Sequence, residues 1–291
     1  MEIHAEDVAK DAMCRIADRG TVIEIAPYNE LVTCIKTGSD MNGRVMMWQY
    51  SYLIDDVLID AGCPNAADEL NELRSMHPVR RIYVTHAHED HAGGCSIFAH
   101  DAEIFAKPSM ARAMMNPEVL NAFFRIAWGQ PKALSKVNSI PDEFEIGKLR
   151  FELLPLPGHT NDMIGFYEKE KRWLFSGDAM PFTPEKQLAM SDENVPETIK
   201  SMEVIQKLNL RVLFDGHVGP IGNPREHIQT RIDYLKEIQN TVRDHSSQGL
   251  TVTEIQEKLK MVSPWWADMT EGRFCVANLI RSLIQDEPSL R

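Results

Sequence analysis

The sequence predicts an α/β protein built from two similar halves, each with a sheet and helices. Two hairpins carry this prediction, because YLIDDVLIDAG at Tyr52–Gly62 and IGFYEKEKRWLFSGDA at Ile164–Ala179 both end in an Asp within two residues of a Gly. Each hairpin is followed by a helical pattern and then by a short apolar strand. We therefore expect two sheets packed together with helices on the outside.

Short runs rich in β-branched and aromatic residues predict the strands of the first half. They are Thr21–Ile25, Leu31–Ile35, Tyr50–Ile54, Val57–Asp60 and Arg81–Thr85. A helix is predicted over Ala66–Met76, before the last of these strands. Residues 108–138 are apolar on several sides and are interrupted by Pro117 and Pro131, which predicts an inserted pair of helices.

The second half has a matching series of elements. Its predicted strands lie within Phe144–Leu156, Met163–Tyr167, Trp173–Asp178 and Arg211–Phe214. A helix is predicted over Val195–Leu208, before the last of these strands. Beyond Pro224 the pattern is helical throughout. Thr251 and Glu254 have the spacing of a capping box, which predicts a helix running to about Lys260. We predict a catalytic domain over residues 1–224 and a helical extension over residues 225–291.

Composition limits the classes of function. The 291 residues include 43 acidic and 31 basic side chains, and the formal charge of −12 argues against a nucleic-acid partner. The five cysteines are widely spaced, which is typical of reduced thiols in the cytoplasm. The first residues lack an apolar segment and no run approaches 18 apolar residues, so we expect neither a signal peptide nor a membrane span. We expect a cytoplasmic protein with a small-molecule substrate, and homo-oligomer formation is left open.

A cluster of histidines and carboxylates, THAHEDHAGG, follows the apolar run Ile82–Val84. Residues two apart in an extended loop point the same way, so His86 and His88 can converge on one ion. Asp90 and His91 then turn toward a neighbouring position. Imidazoles and carboxylates are the usual donors for Zn²⁺ and related ions, and such a group at a strand end is costly without a metal. The cluster therefore predicts a metal site.

Three further candidate ligands follow later strands. His159 comes after Leu153–Leu156, Asp178 after Trp173–Phe175, and His217 after Val212–Phe214. Each is preceded by a glycine that permits a tight exit from the strand. Taken singly these motifs are weak, but together they complete a set of seven ligands.

With these motifs the sequence resembles the metallo-β-lactamase-fold hydrolase superfamily over about residues 20–225. The resemblance implies a four-layer αββα sandwich with its site at one edge. It also implies that Asp60 braces the metal-binding loop from behind. The implied ligands are His86, His88 and His159 for the first metal, Asp90, His91 and His217 for the second, and Asp178 as the bridge.

Two ions held in this way can share a water and lower its pKa toward about 7, which makes hydroxide available at neutral pH. We expect zinc, with iron or manganese as alternatives, and we assign Asp90 to catalysis. A metal also stabilises the oxyanion that develops on an attacked carbonyl. A Ser or Cys nucleophile is not required, and the neighbours of Cys95 predict a buried helix face.

Within the superfamily, the run PGHTNDMIGFYEKEKRWLFSGDA resembles the thioesterase and glyoxalase-II-like branch, which includes hydrolases with C-terminal helices. The resemblance implies hydrolysis of a small thioester or ester. Met163 stands where many relatives have His, and the basic glutathione-binding residues of glyoxalase II find no match. We therefore do not expect glutathione specificity.

Other activities on the same fold are alternatives. A ribonuclease or phosphodiesterase would also use two metals, but the acidic charge and the lack of a basic tail argue against it. A persulfide dioxygenase would use a single iron, and the presence of His88 argues against a flavodiiron protein. Purely structural zinc sites are commonly rich in cysteine, and this set contains none.

Large apolar side chains in the 108–138 segment and in the tail suggest a wall and lid that select an apolar acyl chain. The candidates are Phe123, Phe124, Trp128, Trp265, Trp266 and Phe274. The alternative is that these aromatic residues only pack the tail onto the rest of the protein.

Overall fold

A computed structural model describes residues 22–40, 45 and 47–285 of the chain. The chain divides into two compact units. The first unit comprises the described residues up to Leu120, together with Phe124–Phe151 and Gly216–Gly219. The second unit comprises Asn121–Phe123, Glu152–Asp215 and the described residues from Pro220 onward.

A seven-stranded sheet in strand order one to seven forms the frame of the first unit. Its strands are β1 (Ile23–Pro27), β2 (Thr33–Thr37), β3 (Gln49–Ile54), β4 (Val57–Ile59), β5 (Arg81–Tyr83), β6 (Glu103–Ala106) and β7 (Asn138–Ser139). Strands β1 to β4 pair antiparallel, and β4 to β7 pair parallel. The predicted hairpin at Asp55 is confirmed, because Ile54 pairs with Val57 across it.

The parallel pairing of β4 and β5 positions the histidine cluster. Ile59 lies opposite Tyr83 at the carboxyl ends of the two strands. Asp60 follows the first strand and donates its backbone N–H to the Tyr83 carbonyl at 3.0 Å. Residues that leave neighbouring parallel strands at the same end come close together, which is where ligand sites form in α/β sheets.

The second sheet has the order β14-β13-β11-β10-β9-β8. Its strands are β8 (Glu143–Ile146), β9 (Leu149–Pro155), β10 (Ile164–Glu168), β11 (Trp173–Gly177), β13 (Val212–Asp215) and β14 (Gly219–Gly222). The predicted hairpin of β10 and β11 is confirmed by the pairing of Phe166 with Phe175. Strand β11 pairs parallel with β13, and Phe175 lies opposite Phe214.

The helices of the described residues lie between the strands and in the tail. They are α1 (Ala67–Met76), α2 (Cys95–Phe98), α3 (Pro108–Met115), α4 (Ala122–Ala127), α5 (Val195–Lys207), α6 (Arg225–Ser247), α7 (Val252–Leu259) and α8 (Val276–Ile284). Among the residues described, no helix combines the length and hydropathy needed to cross a bilayer. The 108–138 segment contains α3 and α4 and ends at β7.

The helices after Pro224 share a hydrophobic core with the rest of the second unit. Ile228, Ile232 and Leu235 recur on one face of α6 and are buried. They belong to the same buried cluster as Leu156 of the segment after β9 and Leu213 of β13. The tail is therefore part of the packing of this unit, and a domain boundary at 224/225 stays a prediction.

The α/β class with two sheets and C-terminal helices is confirmed, as is the capping box of Thr251 and Glu254. The prediction of an entirely helical tail is wrong. Strand β15 (Phe274–Cys275) pairs antiparallel with β12 (Ala189–Met190). A two-residue strand carries no periodicity of its own, so only a distant partner reveals it. The predicted first strand began at Thr21, which lies outside the described residues.

Candidate metal centre

The histidine cluster lies in a tight turn after β5. Backbone N–H groups of His91 and Ala92 both donate to the His88 carbonyl, at 3.1 and 2.8 Å. Gly94 closes the turn, because a Cβ atom there would lie 2.1 Å from the Ala61 carbonyl oxygen. His86 and His91 are fully buried. Burying several polar rings in so short a segment requires a partner for each of them.

Each of three candidate ligand histidines is oriented through its Nδ1 atom. Asp60 Oδ2 lies 2.8 Å from His91 Nδ1, and the Trp48 carbonyl lies 2.8 Å from His217 Nδ1. An acceptor that cannot donate fixes the ring proton on Nδ1, so Nε2 keeps its lone pair. The third ring is that of His86, whose Nδ1 lies 3.0 Å from the Thr85 hydroxyl oxygen. This hydroxyl already donates its proton to Asp60 at 2.8 Å, so it accepts the proton of His86 Nδ1.

The distances between the candidate donor atoms suit a shared ion. Asp90 Oδ2 lies 3.4 Å from His217 Nε2 and 3.6 Å from His91 Nε2. Charge-assisted hydrogen bonds are shorter, at about 2.7–2.9 Å. Four donors at about 2.0–2.1 Å around a tetrahedral zinc lie about 3.3–3.4 Å from one another. The Asp90, His91 and His217 donors thus have the chemistry and the spacing of a metal site.

His86 and His88 form a second pair in the same unit. The Nε2 atom of His86 lies 3.1 Å from the Nδ1 atom of His88, and the two rings meet edge to face. His86 Nδ1 is already engaged with Thr85, so its remaining nitrogen faces the neighbouring ring. This separation is that of a hydrogen bond between the two rings, so the assignment of this pair to one ion stays a prediction.

The second unit brings together the two remaining candidates. His159 Nε2 lies 3.4 Å from Asp178 Oδ2. Gly158 and Gly177, which precede the two ligands, have φ values of +141° and +51°. Two of the three glycines predicted to permit tight exits are therefore in the left-handed region that L-residues avoid, whereas Gly216, before His217, does not have a positive φ. Five predicted ligands thus lie together in the first unit and two in the second, and their division between two ions stays a prediction.

Thr85 and Trp48 orient ligands but were not singled out in the sequence. Thr85 is the first residue of the motif THAHEDHAGG, so its hydroxyl is a signal that the sequence contains. Trp48 acts through its backbone carbonyl, for which no side chain gives a signal. The prediction that Cys95 is buried on a helix is confirmed, because it begins α2 and is fully buried. Burial raises the pKa of this thiol, which disfavours a nucleophilic thiolate.

The aromatic candidates divide into two groups. Trp128 is buried, with its ring 6.2 Å from the ring of His217. In the second unit, the ring of Trp266 contacts two others. Its centroid is 5.8 Å from that of Phe123, on which it stacks, and 5.9 Å from that of Phe274. Trp265 is 76% exposed. A role of these side chains in selecting an acyl chain stays a prediction.

The chain belongs to the metallo-beta-lactamase superfamily, whose family model matches residues 49–224. That range covers more than half of the chain and includes every candidate ligand. The described fold and the histidine-carboxylate set agree with this membership.

Several proteins of known sequence are similar to the chain. A beta-lactamase-like protein 2 homolog from Caenorhabditis elegans is 24% identical over 72% of this chain and 68% of its own length. A hydroxyacylglutathione hydrolase from Legionella pneumophila is 33% identical, but the match spans 35% of this chain and 34% of that protein. An atrochrysone carboxyl ACP thioesterase from Aspergillus fumigatus is 25% identical over 66% of this chain and 59% of that protein.

Solved structures agree on the fold. A metallo-beta-lactamase family protein from Thermus thermophilus has a TM-score of 0.62 at 18% identity and covers 89% of this chain and 92% of its own. A beta-lactamase domain protein from Burkholderia ambifaria has a TM-score of 0.60 at 14% identity, and the match covers 90% of this chain and 83% of that chain. At these identities the likeness establishes the fold alone.

Proposed function

We propose that this chain is a hydrolase that uses two divalent metal ions to cleave a small-molecule thioester or ester. The observation that carries the proposal is the convergence of Asp90, His91 and His217. Two ring Nε2 atoms lie within 3.6 Å of one carboxylate oxygen, while both Nδ1 atoms are held by orienting bonds. Membership in the superfamily and the thioesterase among the relatives support it.

The proposed ligand set keeps the division that the resemblance implies. Zinc is the expected metal, with iron or manganese as alternatives, because imidazole and carboxylate donors suit all three. The proposed ligands are His86, His88 and His159 for one ion, Asp90, His91 and His217 for the other, and Asp178 as the bridge.

The bound ions would supply an acidified water and polarise the substrate carbonyl. The chain's own contribution is orientation. Asp60 and the Trp48 carbonyl keep the lone pairs of His91 and His217 turned toward Asp90. We assign Asp90 to catalysis as well as to metal binding, because a carboxylate that would hold the second ion would also lie beside the water bound there and could orient it. A thioester suits such a site, since a thiolate leaves without strong assistance from an acid.

The test combines metal quantification with a substrate panel. We expect two ions per wild-type chain and a large loss of at least one in Asp178→Ala. His100→Ala is the matched control, because its side chain is 89% exposed. In a panel of acyl-CoA, acyl-glutathione and aryl ester substrates, we expect at least one class to be hydrolysed, with chelator-sensitive release of thiol or phenol.

Unchanged two-metal content in Asp178→Ala would contradict the ligand assignment. Absence of metal-dependent turnover across the whole panel would contradict the hydrolase. Cleavage of labelled single-stranded RNA would then favour a nuclease, and one iron per chain would favour a persulfide dioxygenase.

A further inference from the structure

The helices after Pro224 carry two buried polar side chains that bond to the loops next to His159 and Asp178. Arg231 lies on α6 and Ser282 on α8, and each is nearly fully buried. Both bond to main-chain atoms near a candidate ligand of the second unit. Neither takes part in the chemistry described above, so their burial calls for a separate explanation.

Arg231 fixes the segment that follows Asp178. Its Nε atom donates to the Pro181 carbonyl at 2.7 Å, and Nη2 donates to the Phe182 carbonyl at 3.3 Å. The remaining Nη1 donates to the His227 carbonyl of its own helix at 3.1 Å. The guanidinium fork therefore joins one turn of α6 to two consecutive carbonyls of a loop, which a single ammonium point charge cannot reproduce.

The link from this loop to the ligand is short and buried. Two residues, Ala179 and Met180, separate Asp178 from the anchored Pro181, and both pack in the hydrophobic core of the unit. Burial lowers the pKa of Arg231, and the nearby Asp215 carboxylate opposes that shift. A charge that is 4% exposed is costly to bury, and its three carbonyl partners offset the cost.

Ser282 acts on the other ligand through the start of α5. Its hydroxyl donates to the Glu193 carbonyl and accepts the Val195 N–H, both at 2.8 Å. These two contacts bracket Asn194, whose own N–H donates to the Gly158 carbonyl at 2.8 Å. Gly158 immediately precedes His159. The Ser282 hydroxyl thus holds the residues on both sides of Asn194, and Asn194 in turn bonds to the backbone that precedes His159.

We propose that Arg231 and Ser282 are positioning residues, through which the C-terminal helices hold Asp178 and His159 in metal-binding geometry. The inference rests on the proposed metal centre and deepens it. It gives the tail a function in metal binding that is independent of any contact with substrate. Residues that orient ligands from behind commonly change metal affinity or activity by about 10–100-fold when they are removed.

The experiment measures metal affinity in the full chain. Metal-stripped Arg231→Met and Ser282→Ala are titrated with Co²⁺ and with Zn²⁺ against a competing chelator, and Co²⁺ absorption reports ligand geometry. We expect at least one ion to bind about 10–100-fold more weakly in each variant. Arg231→Lys should recover part of the loss, because it keeps the charge and loses the fork.

Two matched controls separate positioning from general stability. Arg243 on α6 also donates to main-chain carbonyls, those of Leu283 and Gln285, and Arg243→Met removes them. Thr270 is a buried hydroxyl that bonds within the tail, and Thr270→Val removes it. Both controls should leave metal affinity within about twofold of wild type at a temperature well below every melting transition.

The outcomes distinguish the two proposals. A wild-type chain that takes up no metal would overturn the proposed function and this inference together. A metal-binding wild type whose affinity and Co²⁺ spectrum persist in Arg231→Met and Ser282→Ala would overturn this inference alone. Equal losses of affinity in the Arg243 and Thr270 controls would also overturn it, since the effect would then follow stability.

Discussion

The two units hold their candidate ligands by different means. In the first unit, side chains and carbonyls bond directly to the ligand rings, as Asp60 does to His91 and the Trp48 carbonyl does to His217. In the second unit, the bonds that we trace go to the backbone beside the ligands, as from Asn194 to Gly158. The first arrangement fixes the tautomer and the rotation of a ring. The second fixes the position of the backbone from which the ligand side chain extends.

This difference follows from the local structure. The first group leaves neighbouring parallel strands, so Asp60 and Thr85 emerge side by side and bond to each other and to the rings. His159 and Asp178 leave their strands through glycines with positive φ, and such turns need support from outside. In the second unit, helices provide that support. The two regions should therefore respond differently to substitution.

The largest effect is expected at Asp60. Asp60→Ala removes the acceptor shared by the Thr85 N–H, the Thr85 hydroxyl and His91 Nδ1, all at 2.8 Å. Leaving these buried donors unpaired should cost about 3–5 kcal/mol of unfolding free energy in denaturant titrations. Metal affinity should fall as His91 loses its orientation.

Asp55→Ala is the control for Asp60→Ala. Asp55 is an exposed aspartate with a similar left-handed backbone, φ +51° against +58° for Asp60. Asp55→Ala therefore introduces the same backbone strain, but it removes no carboxylate that is bonded to buried donors. Equal destabilisation by the two substitutions would show that strain, rather than the bonds to Thr85 and His91, accounts for the effect.

A smaller but more local effect is expected at Gly158. Gly158→Ala places a methyl 2.4 Å from the Thr198 backbone nitrogen, at a φ of +141° that L-residues rarely adopt. The loop should shift away from α5 and carry His159 with it. We expect a loss of about 2–3 kcal/mol and weaker metal binding, measured by denaturant titration and chelator competition.

Gly249→Ala isolates the steric part of that effect. Gly249 also has a positive φ, +89°, but nothing lies within 4 Å of the position that an added methyl group would take. It should therefore lose stability through backbone strain alone and keep its metal affinity. Normal metal affinity in Gly158→Ala would show that the backbone beside His159 does not control the ligand.

The sequence was most informative where chemistry is concentrated in adjacent residues. The cluster of His86, His88, Asp90 and His91 is unmistakable because four donors fall within six positions. Its supports were partly predictable, since Asp60 follows a strand whose parallel neighbour leads into the motif. The β4–β5 pairing that brings Asp60 to Thr85 is a long-range contact, and only the assembled sheet reveals it.

The supports of the second unit were not predictable from sequence. Arg231 and Ser282 lie on helices whose apolar periodicity is clear, but nothing in that pattern marks either residue as buried and bonded to a distant loop. The strand β15 was missed for the same reason. Contacts between segments about 50 to 90 residues apart, such as Arg231 with Pro181 and Ser282 with Glu193, depend on tertiary packing.

The smallest expected effect concerns acid stability of the second unit. Burial, with a contribution from the charge of Arg231, lowers the pKa of His227 from 6.5 to about 4. The unfolded chain then binds more protons between these two values. The free energy of unfolding should therefore fall as pH is lowered from about 6.5 to about 4, and this group should contribute no pH dependence above about 7.5. Because the ring is only partly buried, we expect this fall in the free energy of unfolding to be about 1–2 kcal/mol.

His227→Gln should flatten this part of the stability profile in metal-stripped protein, where ligand protonation no longer competes with metal release. Denaturant titrations at pH 5 and pH 7.5 on both proteins give the difference, and His245→Gln in the last turn of the same helix is the control. An identical pH dependence in wild type and His227→Gln would place the acid sensitivity elsewhere. A flatter profile in His227→Gln alone would show that protonation of His227 destabilises the protein in acid. The acid sensitivity of the helix that carries Arg231 would then be distinguished from protonation of the candidate metal ligands.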